Sequence, residues 1–162
     1  MKPWLKVLLV TLLVAIPALP LGQVLWPAPA EMSTGEGGMP AYVPFLIVIS
    51  VFEALSLGLG IAFLAFGLPL VRRIGVWSTG MSWAVFLSIA WFLVSWWPHD
   101  GFHRSMGVNM WGLVAVEYAF HVTLMSAGAI LALAFVRLVQ QSVTPARTVP
   151  AAPRAGLADA AR

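Results

Sequence analysis

The three histidines of the chain all lie between positions 99 and 121. His99 and His103 are four residues apart, and so are Glu117 and His121. Side chains at positions i and i+4 share one face of an α-helix, and imidazole and carboxylate groups are ligands for zinc, iron and copper. The two pairs therefore predict a transition-metal site, with Asp100 as a fifth candidate ligand.

A second hypothesis concerns acid–base chemistry within the apolar segments of the chain. Glu53 lies about ten residues into the second of four such segments, and His121 lies about ten residues into the fourth. At a rise of about 1.5 Å per residue, both lie roughly 15 Å from the same end of the bundle. An ionisable group at the centre of a bilayer is costly without a partner, so we expect Glu53 and His121 to meet as catalytic acid–base candidates. His121 is also a candidate haem ligand.

The composition indicates that lipid surrounds much of the chain. Hydrophobic residues make up 60% of the sequence and charged residues 9%, whereas a soluble domain has about 25% charged residues. The chain has no cysteine, which excludes disulfides, thiolate metal sites and iron–sulfur clusters. The net charge of +3 is not gathered into a basic run with interleaved aromatic residues. We therefore expect the lipid bilayer as a partner, and no nucleic acid.

Four segments are long and apolar enough to cross a bilayer, which takes about 20 residues. Their continuous apolar runs lack the alternation of a barrel strand, so they are expected to be helices. The sequence predicts an all-α fold, an integral membrane bundle of four transmembrane helices in one domain, residues 1–139. The spans are expected at about 5–25, 43–71, 81–97 and 111–136. Residues 140–162, rich in Ala, Pro and Arg, are expected to form a disordered cytoplasmic tail.

Basic residues predict the orientation of these spans. They occur before the first span, after the second and after the fourth, at Lys2, Lys6, Arg72, Arg73 and Arg137. Cytoplasmic segments carry an excess of Lys and Arg. Both termini are therefore expected in the cytoplasm, with the chain in the plasma or inner membrane. The histidine-bearing connection between the third and fourth spans then faces outward.

The first segment also has features of a secretory signal peptide. Two lysines precede its apolar stretch, and Ala28-Pro29-Ala30 matches an A-x-A cleavage site. However, the apolar region is longer than is usual for a signal peptide, and Pro17 and Pro20 interrupt it. We therefore favour a retained span, while cleavage would leave three spans in the same orientation.

Two classes of function agree with these features. The first is an accessory or assembly subunit of a larger membrane complex, with an outward-facing site of His, Glu and Asp side chains and with partner subunits in the membrane. The alternative is a metal-dependent integral membrane enzyme, whose metal activates water or oxygen towards a lipophilic substrate. We favour the subunit because a small chain with so few ionisable groups often needs partners.

Overall fold

A computed structural model describes residues 1–27, 43–75, 77–107 and 109–143. In these ranges the chain forms helices and no strands, which confirms the all-α prediction for the part described. The helices are α1 (Pro3–Leu25), α2 (Val43–Phe66), α3 (Leu68–Ile74), α4 (Thr79–Val94), α5 (Trp96–Met106) and α6 (Met110–Val143).

Three of these helices are long and apolar enough to cross a membrane. They are α1, the Ile47–Phe66 part of α2, and α6. A fourth candidate span arises if α4 and α5, which meet at an angle of 41°, are taken together. By length and apolarity, the described chain therefore has three to four candidate spans.

The boundaries differ from the prediction at the second and third spans. The predicted span 43–71 is interrupted at Gly67, because Pro69 favours the start of a new helix, where its missing N–H is harmless. The predicted span 81–97 is divided at Ser95. The ring of Pro98 clashes with the carbonyl four residues earlier and offers it no N–H, which bends the chain between α4 and α5.

The C-terminal helix is longer than expected. Because α6 continues to Val143, residues 140–143 of the predicted tail belong to this helix. Residues 144–162 and the possible cleavage site Ala28-Pro29-Ala30 lie outside the described residues.

α1 and α2 pack closely through small side chains. The buried positions of α1 recur every three to four residues, at Thr11, Ala15, Ala18 and Gly22. On α2, a Cβ atom added to Gly58 would overlap the backbone of Thr11. Small residues let two helix backbones approach this closely, so Gly58 sets the distance between α1 and α2.

The remaining helices place α4 and α5 between α2 and α6. Both α4 and α5 contact α2 on one side and α6 on the other, whereas α2 and α6 make no contact within the described residues. The hydroxyl of Ser56 in α2 donates a hydrogen bond of 2.8 Å to the carbonyl oxygen of Leu93 near the end of α4. This bond ties α2 to the bend that orients α5.

Candidate metal site

The connection that carries His99 and His103 is a helix, α5, rather than a loop. The two histidines lie one turn apart on it, and their ring centroids are 4.5 Å apart. The backbone N–H of His99 donates to the carbonyl of Ser95 at 3.1 Å, which fixes the first turn after the bend. The helix therefore presents both imidazoles on one side, where α6 packs.

The nitrogen atoms of these histidines converge on a carboxylate from α6. His103 Nε2 lies 3.0 Å from Glu117 Oε1 and 3.2 Å from His99 Nε2. One ligand atom from each of the three residues lies within 4.8 Å of the other two. A single hydrogen on His103 Nε2 cannot serve both neighbours well, whereas a cation placed among the three atoms would accept a lone pair from each.

His121 bonds to the other oxygen of the same carboxylate. Its Nδ1 lies 2.5 Å from Glu117 Oε2 and 3.1 Å from the main-chain oxygen of Glu117. Both partners, the carboxylate oxygen and the main-chain carbonyl oxygen, are acceptors, so we assign the ring hydrogen to Nδ1. His121 is not one of the three residues with converging ligand atoms, although its ring centroid is 5.3 Å from that of His99.

The site is open on one side and backed by aromatic rings on the other. The side chains of His103, Glu117 and His121 are 30%, 47% and 52% exposed. Behind them, the ring of Phe120 lies 5.1 Å from that of His99 and stacks on Trp91 at 5.9 Å. Neither aromatic residue was predicted from the sequence as part of the site, although Phe120 lies beside His121 in the chain.

Asp100 does not join the three converging residues. It lies on the side of α5 that faces α2, where its Oδ2 is 2.6 Å from Arg104 Nη2. Arg104 was missed as a site residue, yet Asp100 and Arg104 have the same i,i+4 spacing as the two histidines. α5 therefore carries two such pairs, one facing α6 and the other facing α2.

The expected contact between Glu53 and His121 is not formed. Glu53 is buried in α2, with 8% of its surface exposed, and interacts with Asp100 and Arg104 of α5. Two residues at the same depth need not lie on neighbouring helices. Here α4 and α5 lie between α2, which carries Glu53, and α6, which carries His121. Glu53 instead lines a cavity of about 10 Å³ beside Gln23 and Arg104, room for about one water molecule.

Comparisons with known proteins identify no relative of this chain: no protein-family model, curated protein or solved structure matches it. The class of this protein therefore follows from its own fold and candidate site. It is a helical protein with three to four candidate membrane spans and a His/Glu cluster whose geometry suits a metal ion.

Proposed function

We propose that this protein is a small multi-pass membrane protein that binds a divalent transition-metal ion through His99, His103 and Glu117. It acts as an accessory subunit of a larger membrane complex. The observation that carries the proposal is the convergence of one ligand atom from each residue within 4.8 Å.

The distances among these atoms support metal binding. Zinc lies about 2.0–2.2 Å from nitrogen and oxygen ligands, so two ligands of a tetrahedral ion are roughly 3.4 Å apart. The contacts of His103 Nε2, at 3.0 and 3.2 Å, are close to this separation. Small side-chain rotations would therefore complete the coordination. Imidazole and carboxylate together suit zinc, iron and copper.

The proposal includes four spans, with α4 and α5 together forming the third, in a plasma or inner membrane. The basic residues of α3 and of the N-terminus lie at one end of the candidate spans, which favours a cytoplasmic position for that end and for both termini. The polar helix α5 then lies at the outer surface. Trp96, its first residue, and Trp111, near the start of α6, are both exposed, as interface anchors are.

Two features support a role as a subunit. The metal ligands lie on the surface of the chain rather than in an enclosed cavity, so a neighbouring protein is able to cover them. In addition, α6 contributes three buried residues, Val116, Ala127 and Ala134, along its 34-residue length. Most of its surface is therefore available to lipid and to partner helices.

A metal-dependent membrane enzyme is the second candidate, and a groove between α4 and α6 favours it. This groove has a volume of about 460 Å³, and its lining includes Leu87, Trp91 and Ile130. Trp91 stacks on Phe120, which in turn contacts His99. A lipophilic substrate that entered from the bilayer would therefore approach the metal ligands along an apolar path.

Metal analysis of the protein purified in mild detergent tests the proposal. We expect the wild type to retain one equivalent of a transition metal, and the double variant His99→Ala/His103→Ala to lose it. Ser105→Ala is the matched control, because Ser105 lies on α5 and its hydroxyl donates to the main-chain carbonyl of Phe102 rather than to a candidate ligand. A metal-free wild type that also fails to bind added zinc, iron and copper would exclude a metal site.

Purification under native conditions separates the two functions. The subunit role predicts that the metal-loaded chain elutes with other membrane proteins at a mass well above its own 17.4 kDa. If the protein instead elutes as a single chain and converts a lipophilic substrate, it is a membrane enzyme.

A further inference from the structure

We propose that His121 positions the Glu117 carboxylate and does not bind the metal, so that the ion keeps one coordination position open to water or a small anion. This inference rests on the proposed metal binding by His99, His103 and Glu117. It goes beyond that function by assigning a role to His121 and by naming the external ligand class, water or a small anion.

The two oxygens of Glu117 have separate partners. Oε1 lies 3.0 Å from His103 Nε2 and faces the other metal ligands. Oε2 lies 2.5 Å from His121 Nδ1. A carboxylate with one oxygen held in this way binds an ion through the other oxygen alone. Glu117 therefore supplies one ligand atom rather than two.

The hydrogen on His121 Nδ1 excludes this nitrogen as a ligand. It is donated to Glu117 Oε2 and to the Glu117 main-chain oxygen, at 2.5 and 3.1 Å. Neither ring nitrogen of His121 belongs to the group of ligand atoms that converge within 4.8 Å, which His99, His103 and Glu117 supply. A hydrogen-bond donor behind a ligating carboxylate is a common arrangement that fixes the direction of the ligand.

The protein then supplies three ligand atoms to an ion that takes four. Asp100, the one carboxylate of α5, is paired with Arg104 at 2.6 Å and lies about 100° around the helix from His99. The fourth position lies on the exposed side, since Glu117 and His103 are both partly exposed. Zinc sites with two imidazoles, one carboxylate and a bound water have this composition.

The charge of the loaded site indicates what occupies the open position. Two neutral imidazoles and one carboxylate leave a divalent ion with a net charge of about +1. A water molecule or a small anion fits such a position, whereas a cation does not. Azide is a suitable probe, because it is small, anionic and a good ligand for transition metals.

The visible spectrum of the Co²⁺-loaded protein tests the inference. In His121→Asn the amide nitrogen replaces Nδ1 as donor, whereas His121→Ala removes it. We expect His121→Ala to weaken Co²⁺ binding by about 10–100-fold, and His121→Asn to restore most of the affinity with an unchanged spectrum. Azide should shift the bands of the wild type and of His121→Asn alike. His121→Gln, whose amide lies one carbon farther out, replaces the alanine variant if that variant does not fold.

Three results would overturn the inference, and they can be told apart. If His121→Asn changes the spectrum as much as His99→Ala does, His121 is itself a ligand, while metal binding stands. If azide leaves the wild-type spectrum unchanged, the fourth position is closed, while metal binding again stands. If the wild type binds no Co²⁺, the proposed function fails together with the inference.

Discussion

His103 and Glu117 join α5 to α6 through a contact of 3.0 Å between Nε2 and Oε1. Both side chains are partly exposed, and an ion pair in such a position contributes only about 0–1 kcal/mol. A metal ion bound by residues of both helices would hold them together more firmly, because it would bind the folded chain alone. The contact therefore marks the place where the proposed ion would join the two helices.

Metal should raise the thermal stability of the purified protein. An ion at about 100 times its dissociation constant stabilises the folded state by roughly 2.7 kcal/mol. We expect zinc to raise the unfolding temperature measured by tryptophan fluorescence, and a chelator to reverse the increase. Glu117→Gln should remove the response to zinc. An equal increase in wild type and variant would show that zinc acts elsewhere.

Acidification should release the metal. An imidazole binds an ion through the lone pair that a proton would otherwise occupy, so the affinity of a site built on His99 and His103 falls as the pH falls. Titration with zinc at a series of pH values measures the slope of log affinity against pH. We expect a smaller slope in His103→Ala, which has one imidazole ligand fewer. The same slope in both proteins would contradict the assignment of His103 as a ligand.

The close approach of α1 and α2 should depend on Gly58. Any side chain at this position would overlap the backbone of Thr11, so Gly58→Ala should destabilise the fold by about 1–3 kcal/mol. Gly80→Ala is the matched control, because a Cβ atom there meets nothing within 4 Å. Unfolding in detergent measures both variants. Equal stability of the two would show that α1 and α2 separate at little cost.

Arg104 should stabilise the packing of α5 on α2. Arg104→Met leaves the carboxyl groups of Glu53 and Asp100 beside each other without a cation. The expected loss of folding free energy lies between the roughly 1 kcal/mol contributed by an exposed ion pair and the about 3–5 kcal/mol lost when a buried ion pair is broken. Adding Asp100→Asn should recover much of this loss, which a double-mutant cycle of unfolding measures. Additive losses would show that the two side chains do not interact.

Long apolar runs predicted the helices well, because a run of this length has few other structures open to it. The pairs His99/His103 and Glu117/His121 were also predicted to share helix faces, since the i,i+4 spacing alone sets that relation within a helix. The helical state of α5 was harder to predict. Asp100-Gly101 also suits a turn, and the contacts of α5 with α2 and α6 hold it in a helix.

The neighbours of Glu53 could not be predicted from its depth. Counting residues fixes how far a side chain lies along its helix, but not which helix stands opposite. Helix order depends on packing between distant segments, such as the Thr11–Gly58 contact of α1 with α2. The Asp100/Arg104 spacing was visible in the sequence, and a search for every i,i+4 pair of opposite charge would have identified it.

The two polar faces of α5 have a mechanical consequence. α5 is a single helix of 11 residues, so a rotation of this helix that turns the histidines away from α6 also moves Asp100 and Arg104 relative to α2. An ion bound by His99, His103 and Glu117 would therefore also restrain the surroundings of the buried Glu53. Under the proposed function, α5 would link metal binding on the surface of the bundle to an acid in its interior.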